Sequence, residues 1–143
     1  MPSDHVPIDA LLSDPPGLWS KETGLLVQKL RMFTPSRWSA GATALGSRAD
    51  VVRHLAQWCA DLAARTEGSP GRTLPILHPD LLLADQLAIT ADDLLRSRPA
   101  PSTLIDAAAH LLLHRWHLLG DEPPSSLGGA QMLERGRMVC QLA

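Results

Sequence analysis

The stretch Thr103 to Gly120 reads TLIDAAAHLLLHRWHLLG, and it decides the fold class. At about 100° per residue, Asp106, His110, His114 and His117 fall within one arc of roughly 80°. Leu, Ile, Ala and Trp fill nearly all the rest of the circumference. Such a pattern belongs to an amphipathic helix with a wide apolar face and a narrow polar seam. Thr103 and Asp106 form a capping-box candidate at its start. Asp121-Glu-Pro-Pro124 stops it.

Proline and glycine mark the segments on either side. Residues 1–20 are rich in Pro and Asp and read as an extended N-terminal arm. A helix is expected from about Lys21 to Phe33, with Leu25, Leu26, Leu30 and Phe33 on one side. Thr34 and Pro35 supply a cap and a first-turn proline for a short helix to about Leu45. Ser47 and Asp50 form a capping-box pattern and open a helix to about Arg65. Its apolar positions are Val51, Leu55, Trp58, Cys59 and Leu62. GSPGRTLP (Gly68 to Pro75) is the plainest loop.

His78-Pro79 starts a helix to about Arg96, with Leu83, Leu87, Ala91, Leu94 and Leu95 facing one way. Asp85, Asp92 and Arg96 face the other, and Leu82 and Ile89 stray onto that polar side. A last helical segment is expected over Ser125 to Leu142. No stretch alternates β-branched residues with a period of two, so no sheet is expected. The expectation is an all-α chain of about five helices: an arm at residues 1–20, then a single helical domain at residues 21–143.

Composition narrows the function classes. The 143 residues suit one domain, with 45% hydrophobic and 20% charged residues. The net charge of −2 gives no global field toward nucleic acid or an anionic membrane. No apolar run reaches membrane-spanning length, and the N-terminus with Asp4, Asp9 and Asp14 is no signal peptide. A cytoplasmic protein is expected. Lys21 and Lys29 are the only lysines among 13 basic residues, and Asn and Tyr are absent. That usage points to a GC-rich bacterial genome. Cys59 and Cys140 match no zinc-ligand spacing and read as reduced, packed thiols.

The histidine stripe is the one cluster of side chains with chemistry in it. His110 and His114, at i and i+4, have the spacing of helical zinc or iron ligands. Asp106 could be a further ligand or orient an imidazole. The outer pair lies about 16 Å apart along the axis, too far for one ion to hold all four groups. A site would need two of them and a donor from another helix: His54, Asp61, Asp85, Asp92 or Cys59. The stronger reading is a solvated stripe or an ordinary interface; as a solvated stripe, His110 would pair with Asp106 and the other two imidazoles would be partly exposed. Arg115 projects into the apolar arc, where it snorkels, pairs with a buried acid or touches a partner.

Residues Ala84-Asp-Gln-Leu87-Ala88-Ile89-Thr90, with Leu94, resemble the helix-turn-helix family of DNA-binding regulators. The resemblance spans about a dozen residues. In that family a small residue, a Leu three later and a small-apolar-Thr turn lead into the recognition helix, which would make residues 84–95 the reading motif. Ala88 stands where glycine is usual, and Ala91-Asp92-Asp93 would repel phosphate. One uninterrupted helix is the better reading. A basic patch is also conceivable at Lys21, Lys29, Arg31, Arg37, Arg48 and Arg53, interleaved with Trp19, Phe33 and Trp38.

The favoured expectation is a non-enzymatic interaction or regulatory protein, self-associating or bound to a protein partner. Leu82, Ile89, Leu113 and Trp116 are its expected interface. Nucleic-acid binding is disfavoured and no membrane contact is expected. No cofactor is expected under this reading. The alternatives are a zinc or iron protein or enzyme using His110, His114, His117 and Asp106, and a DNA-binding regulator.

Overall fold

The computed structural model describes residues 13–43, 46–120, 135 and 138. The protein is all-α. Among the described residues there are five helices: α1 (Pro15–Leu30), α2 (Pro35–Ser39), α3 (Arg48–Glu67), α4 (Leu82–Arg96) and α5 (Pro101–Leu119). A short antiparallel ribbon, β1 (Gly41–Thr43) with β2 (Gly46–Ser47), joins α2 to α3. No described helix is long and apolar enough to cross a membrane.

Helix boundaries follow the capping chemistry, in places not where periodicity sets them. Helix α1 begins at Pro15, inside the stretch expected as an arm. Asp14 is the reason: its carboxylate accepts from the Gly17 amide at 3.2 Å, and Pro15 and Pro16 fill the first two helical positions. Those amides have no intrahelical partner in any helix, so proline costs nothing there. The rest of the expected arm, residues 1–12, lies outside the described residues.

Helix α2 stops at Ser39, short of the expected Leu45. Ala40 leaves the helix at ψ 145°, and the chain turns into the ribbon. Beyond this ribbon no strand pairing occurs among the described residues, in keeping with the all-α expectation. With three residues in one strand and two in the other, the ribbon is too short to show alternation.

Ser47 and Asp50 form the expected capping box at the start of α3, and Gly68 closes that helix in the left-handed region at φ 70°. Helix α4 starts at Leu82 rather than at His78-Pro79, because a residue before proline is driven out of the helical region. The amides of Leu82 and Leu83 bond to the carbonyls of Pro79 and Asp80, a turn that leads into the helix. Helix α5 starts at Pro101, so Thr103 lies inside the first turn and its expected capping box with Asp106 is not used. Gly120 closes it, its amide donating a hydrogen bond of 2.8 Å to the Trp116 carbonyl.

The chain divides into two compact units, Met1–Glu22 with Ala100–Ala143, and Thr23–Pro99. In the second unit α3 packs against α4, and α2 and the ribbon pack on α3. Val51, Leu55 and Cys59 are buried on α3 as expected, while Trp58 and Leu62 are half-buried. Leu83, Leu87, Ala91 and Leu94 are buried on α4, and Phe33 and Trp38 are also buried. The loop from Gly68 to Pro75 is stapled by two glutamines. The Gln57 amide donates to the Arg72 carbonyl at 2.7 Å and accepts from the Leu74 amide at 2.8 Å. Gln86 donates to the Pro75 carbonyl.

In the first unit, α5 buries Leu104, Ala107, Ala108, Ala109, Leu111, Leu113 and Leu118, and the start of α1 buries Leu18 and Trp19. The expected helix over Ser125 to Leu142 lies outside the described residues, except for Arg135 and Met138, both helical. Cys140 also lies outside them.

Candidate functional site

Helix α5 carries the candidate site, and its stripe is not uniform. His110 is 1% exposed and His114 5%, whereas His117 is exposed and Asp106 half-buried. The solvated seam is therefore corrected. A helix wheel shows which residues share a face, but not what lies against that face, and two of these imidazoles are buried. Their ring centroids lie 4.4 Å apart at 50°. Nδ1 of His114 lies 2.9 Å from the His110 carbonyl oxygen. A carbonyl can only accept, so Nδ1 of His114 carries the proton and Nε2 the lone pair.

The outer members of the stripe have other partners. The Asp106 carboxylate accepts from Nε of Arg135, which the sequence reading did not consider. His117 stacks on Trp116 with centroids 5.7 Å apart and planes 13° from parallel. Arg115 does not reach solvent as a snorkelling side chain. It donates to the Glu22 carboxylate at 3.2 Å, with the two side chains 20% and 14% exposed.

The donors considered for a third ligand all lie in the unit Thr23–Pro99. Three of them are paired there. Asp85 accepts from Arg31 and Asp92 pairs with Arg96. Asp61 accepts from Gln57. Cys59 is a buried free thiol, pushed up to about 12 by desolvation. His54 is half-buried, and desolvation lowers its pKa, so its imidazole is neutral at neutral pH.

The expected interface splits in two. Leu82 is 39% exposed and Ile89 62%. Leu113 is buried at 8% and offers nothing to a partner, and half-buried Trp116 is covered on one side by His117. Elsewhere on α5, Ile105, Leu112 and Leu119 are half-buried. Missed by sequence reasoning were Leu81 and Met32, 48% and 82% exposed, which follow or precede buried positions without breaking any periodicity.

Two readings disfavoured from the sequence find no support, and the unbroken helix preferred over one of them is present. Helix α4 runs unbroken from Leu82 to Arg96, so residues 84–95 contain no turn and no helix-turn-helix. Ala88 in place of glycine leaves the backbone free to stay helical. The basic patch is likewise dispersed. Trp19, Phe33 and Trp38 are buried, not exposed as stacking platforms. Arg31 pairs with Asp85, and Arg53 with Asp50 and Asp80. Arg37 lies over the Phe33 ring at 4.4 Å.

A cleft of about 330 Å³ is lined by Phe33, Pro35, Trp38 and the run His78 to Leu81, Asp80 among them. The Asp80 carboxylate there accepts from Arg53 at 3.1 Å. Comparison with known proteins finds no matching family model, no matching curated protein and no matching solved structure.

Proposed function

We propose that the protein is a non-enzymatic interaction module of the bacterial cytoplasm that self-associates through the outer face of α4. One observation carries this reading. Leu82 and Ile89 stand two turns apart on the exposed side of a helix whose opposite side is fully buried. Asp85 lies between them and bonds Arg31, the neighbour of the exposed Met32. This gives an apolar strip with a polar edge, the composition of a protein interface rather than of a solvated helix.

A two-fold axis near Ile89 would bring the strip of one copy onto the same strip of another. Burying an Ile contributes about 1.5–3 kcal/mol, and a two-fold contact counts it twice. Ile89→Lys should therefore raise the dimer dissociation constant at least about a hundredfold. Sedimentation velocity across a wide concentration range checks this. The reading predicts a dimer for the natural chain and a monomer for Ile89→Lys. A compact monomer at every concentration overturns it.

A further inference from the structure

We propose that a second copy of the chain covers a composite patch, in which the cleft beside Phe33 and Trp38 is continuous with the outer face of α4. The inference deepens the self-association reading and rests on it. It starts from area. Leu82 and Ile89 are each only partly exposed and together present about one side chain's worth of apolar surface. That is on the order of 100 Å² at about 25 cal/mol per Å². A stable two-fold dimer buries about 800 Å² on each copy. The strip on α4 supplies a small part of this, so the contact extends beyond it.

The surface around the strip is already apolar. Among the described residues seven large hydrophobic side chains are exposed, and five of them are Met32, Ile76, Leu81, Leu82 and Ile89. Their neighbours tie these five to one place. Leu81 precedes Leu82 and lines the cleft together with Phe33, the residue after Met32. Arg31, the residue before Met32, bonds Asp85 on the outer face of α4. The next residue of that helix, Gln86, donates to the Pro75 carbonyl at 3.1 Å, which keeps Ile76 beside the helix. Single exposed apolar residues are ordinary on any surface. A contiguous group of them beside a recess marks an interface.

Charge is compatible with a second copy. A two-fold axis brings identical groups together, so an unpaired acid on the patch would face its own image. The two carboxylates within it are neutralised inside the chain, Asp85 by Arg31 and Asp80 by Arg53. The patch therefore offers a copy of itself apolar surface and closed ion pairs.

The test is sedimentation velocity of the full chain across a wide concentration range, which reads the dimer dissociation constant. Met32→Gln and Leu81→Gln replace apolar surface by a polar amide at nearly constant size. Both residues are exposed, so the fold should be kept, and far-ultraviolet circular dichroism checks this. Each variant should raise the dissociation constant at least about tenfold, which is about 1.4 kcal/mol. A smaller change in either variant, while Ile89→Lys still dissociates the dimer, leaves the α4 strip standing and overturns the composite patch. A natural chain that stays a compact monomer at every concentration overturns both.

Discussion

Breaking the Arg115–Glu22 pair should cost far more than breaking a surface pair of the same length. The guanidinium and carboxylate are 3.2 Å apart, with side chains 20% and 14% exposed. Arg31 and Asp85 are 3.1 Å apart, with side chains 56% and 60% exposed. Distance is nearly constant, so solvent access alone separates the two. At an effective dielectric of 20 the Coulomb attraction at this distance is about 5 kcal/mol. Much of it is cancelled by desolvation and by the remaining water access, leaving a coupling of about 1.5–3 kcal/mol for Arg115–Glu22. The exposed pair should give about 0.5 kcal/mol or less.

A double-mutant cycle with Glu22→Gln, Arg115→Met and both together measures the first coupling, by urea unfolding. Arg31→Met and Asp85→Asn give the second. An asymmetry is also expected. Nε of Arg115 is buried without a hydrogen-bond partner, so Arg115→Met removes that unsatisfied donor together with the pair. Glu22→Gln leaves it in place and should therefore be the costlier single change. Raising salt from about 0.1 M to about 1 M shortens the screening length from about 10 Å to about 3 Å. This should erase the Arg31–Asp85 coupling and spare most of the Arg115–Glu22 coupling. Equal couplings for the two pairs, or equal salt sensitivity, would refute the reasoning.

Two smaller perturbations test the local chemistry. Ser47→Ala removes the hydroxyl that accepts from the Asp50 amide at 3.2 Å and should cost about 1 kcal/mol in urea unfolding. The Ser47 backbone amide, with its hydroxyl, holds the Asp50 carboxyl below its ordinary value. A depressed carboxyl stabilises the fold above about pH 4 and loses that contribution as pH falls through its folded-state value, so the gap between natural chain and variant should narrow in acid. Burial holds the Cys59 thiol at about 12, and only the thiolate reacts. In a Cys140→Ser background, labelling by a thiol reagent at about pH 8 should therefore wait for unfolding, and rapid labelling of the folded chain would contradict the burial.

Local patterning made much of this architecture legible. The helices α3, α4 and α5 are readable because each keeps its apolar residues on one face over at least four turns, and Gly68 and Gly120 mark two of the ends. Where the reading failed, the cause was specific. Pro15 and Pro16 look like breakers until Asp14 is recognised as the cap that makes them first-turn residues. The β ribbon is shorter than any pattern with a period of two can register. Gln57 gives no sign in sequence that it fixes a loop fifteen residues away, because its role depends on where backbone groups fall in space.

The stripe on α5 shows the deeper limit. Periodicity fixes the angle of a residue around its helix axis, and Asp106, His110, His114 and His117 do share an arc. Their environments are set along the axis and by sequence-distant groups. Arg135 takes the carboxylate at one end, and the Trp116 ring covers the imidazole at the other. Only the central pair is left desolvated, with one tautomer fixed by the helix backbone itself. The same logic places Arg115 one residue beyond His114, in an arc that hydropathy calls apolar. It stays there because Glu22 meets it from α1. Polar groups on a hydrophobic helix thus report on the partners that justify them, and those partners lie where local pattern has no reach.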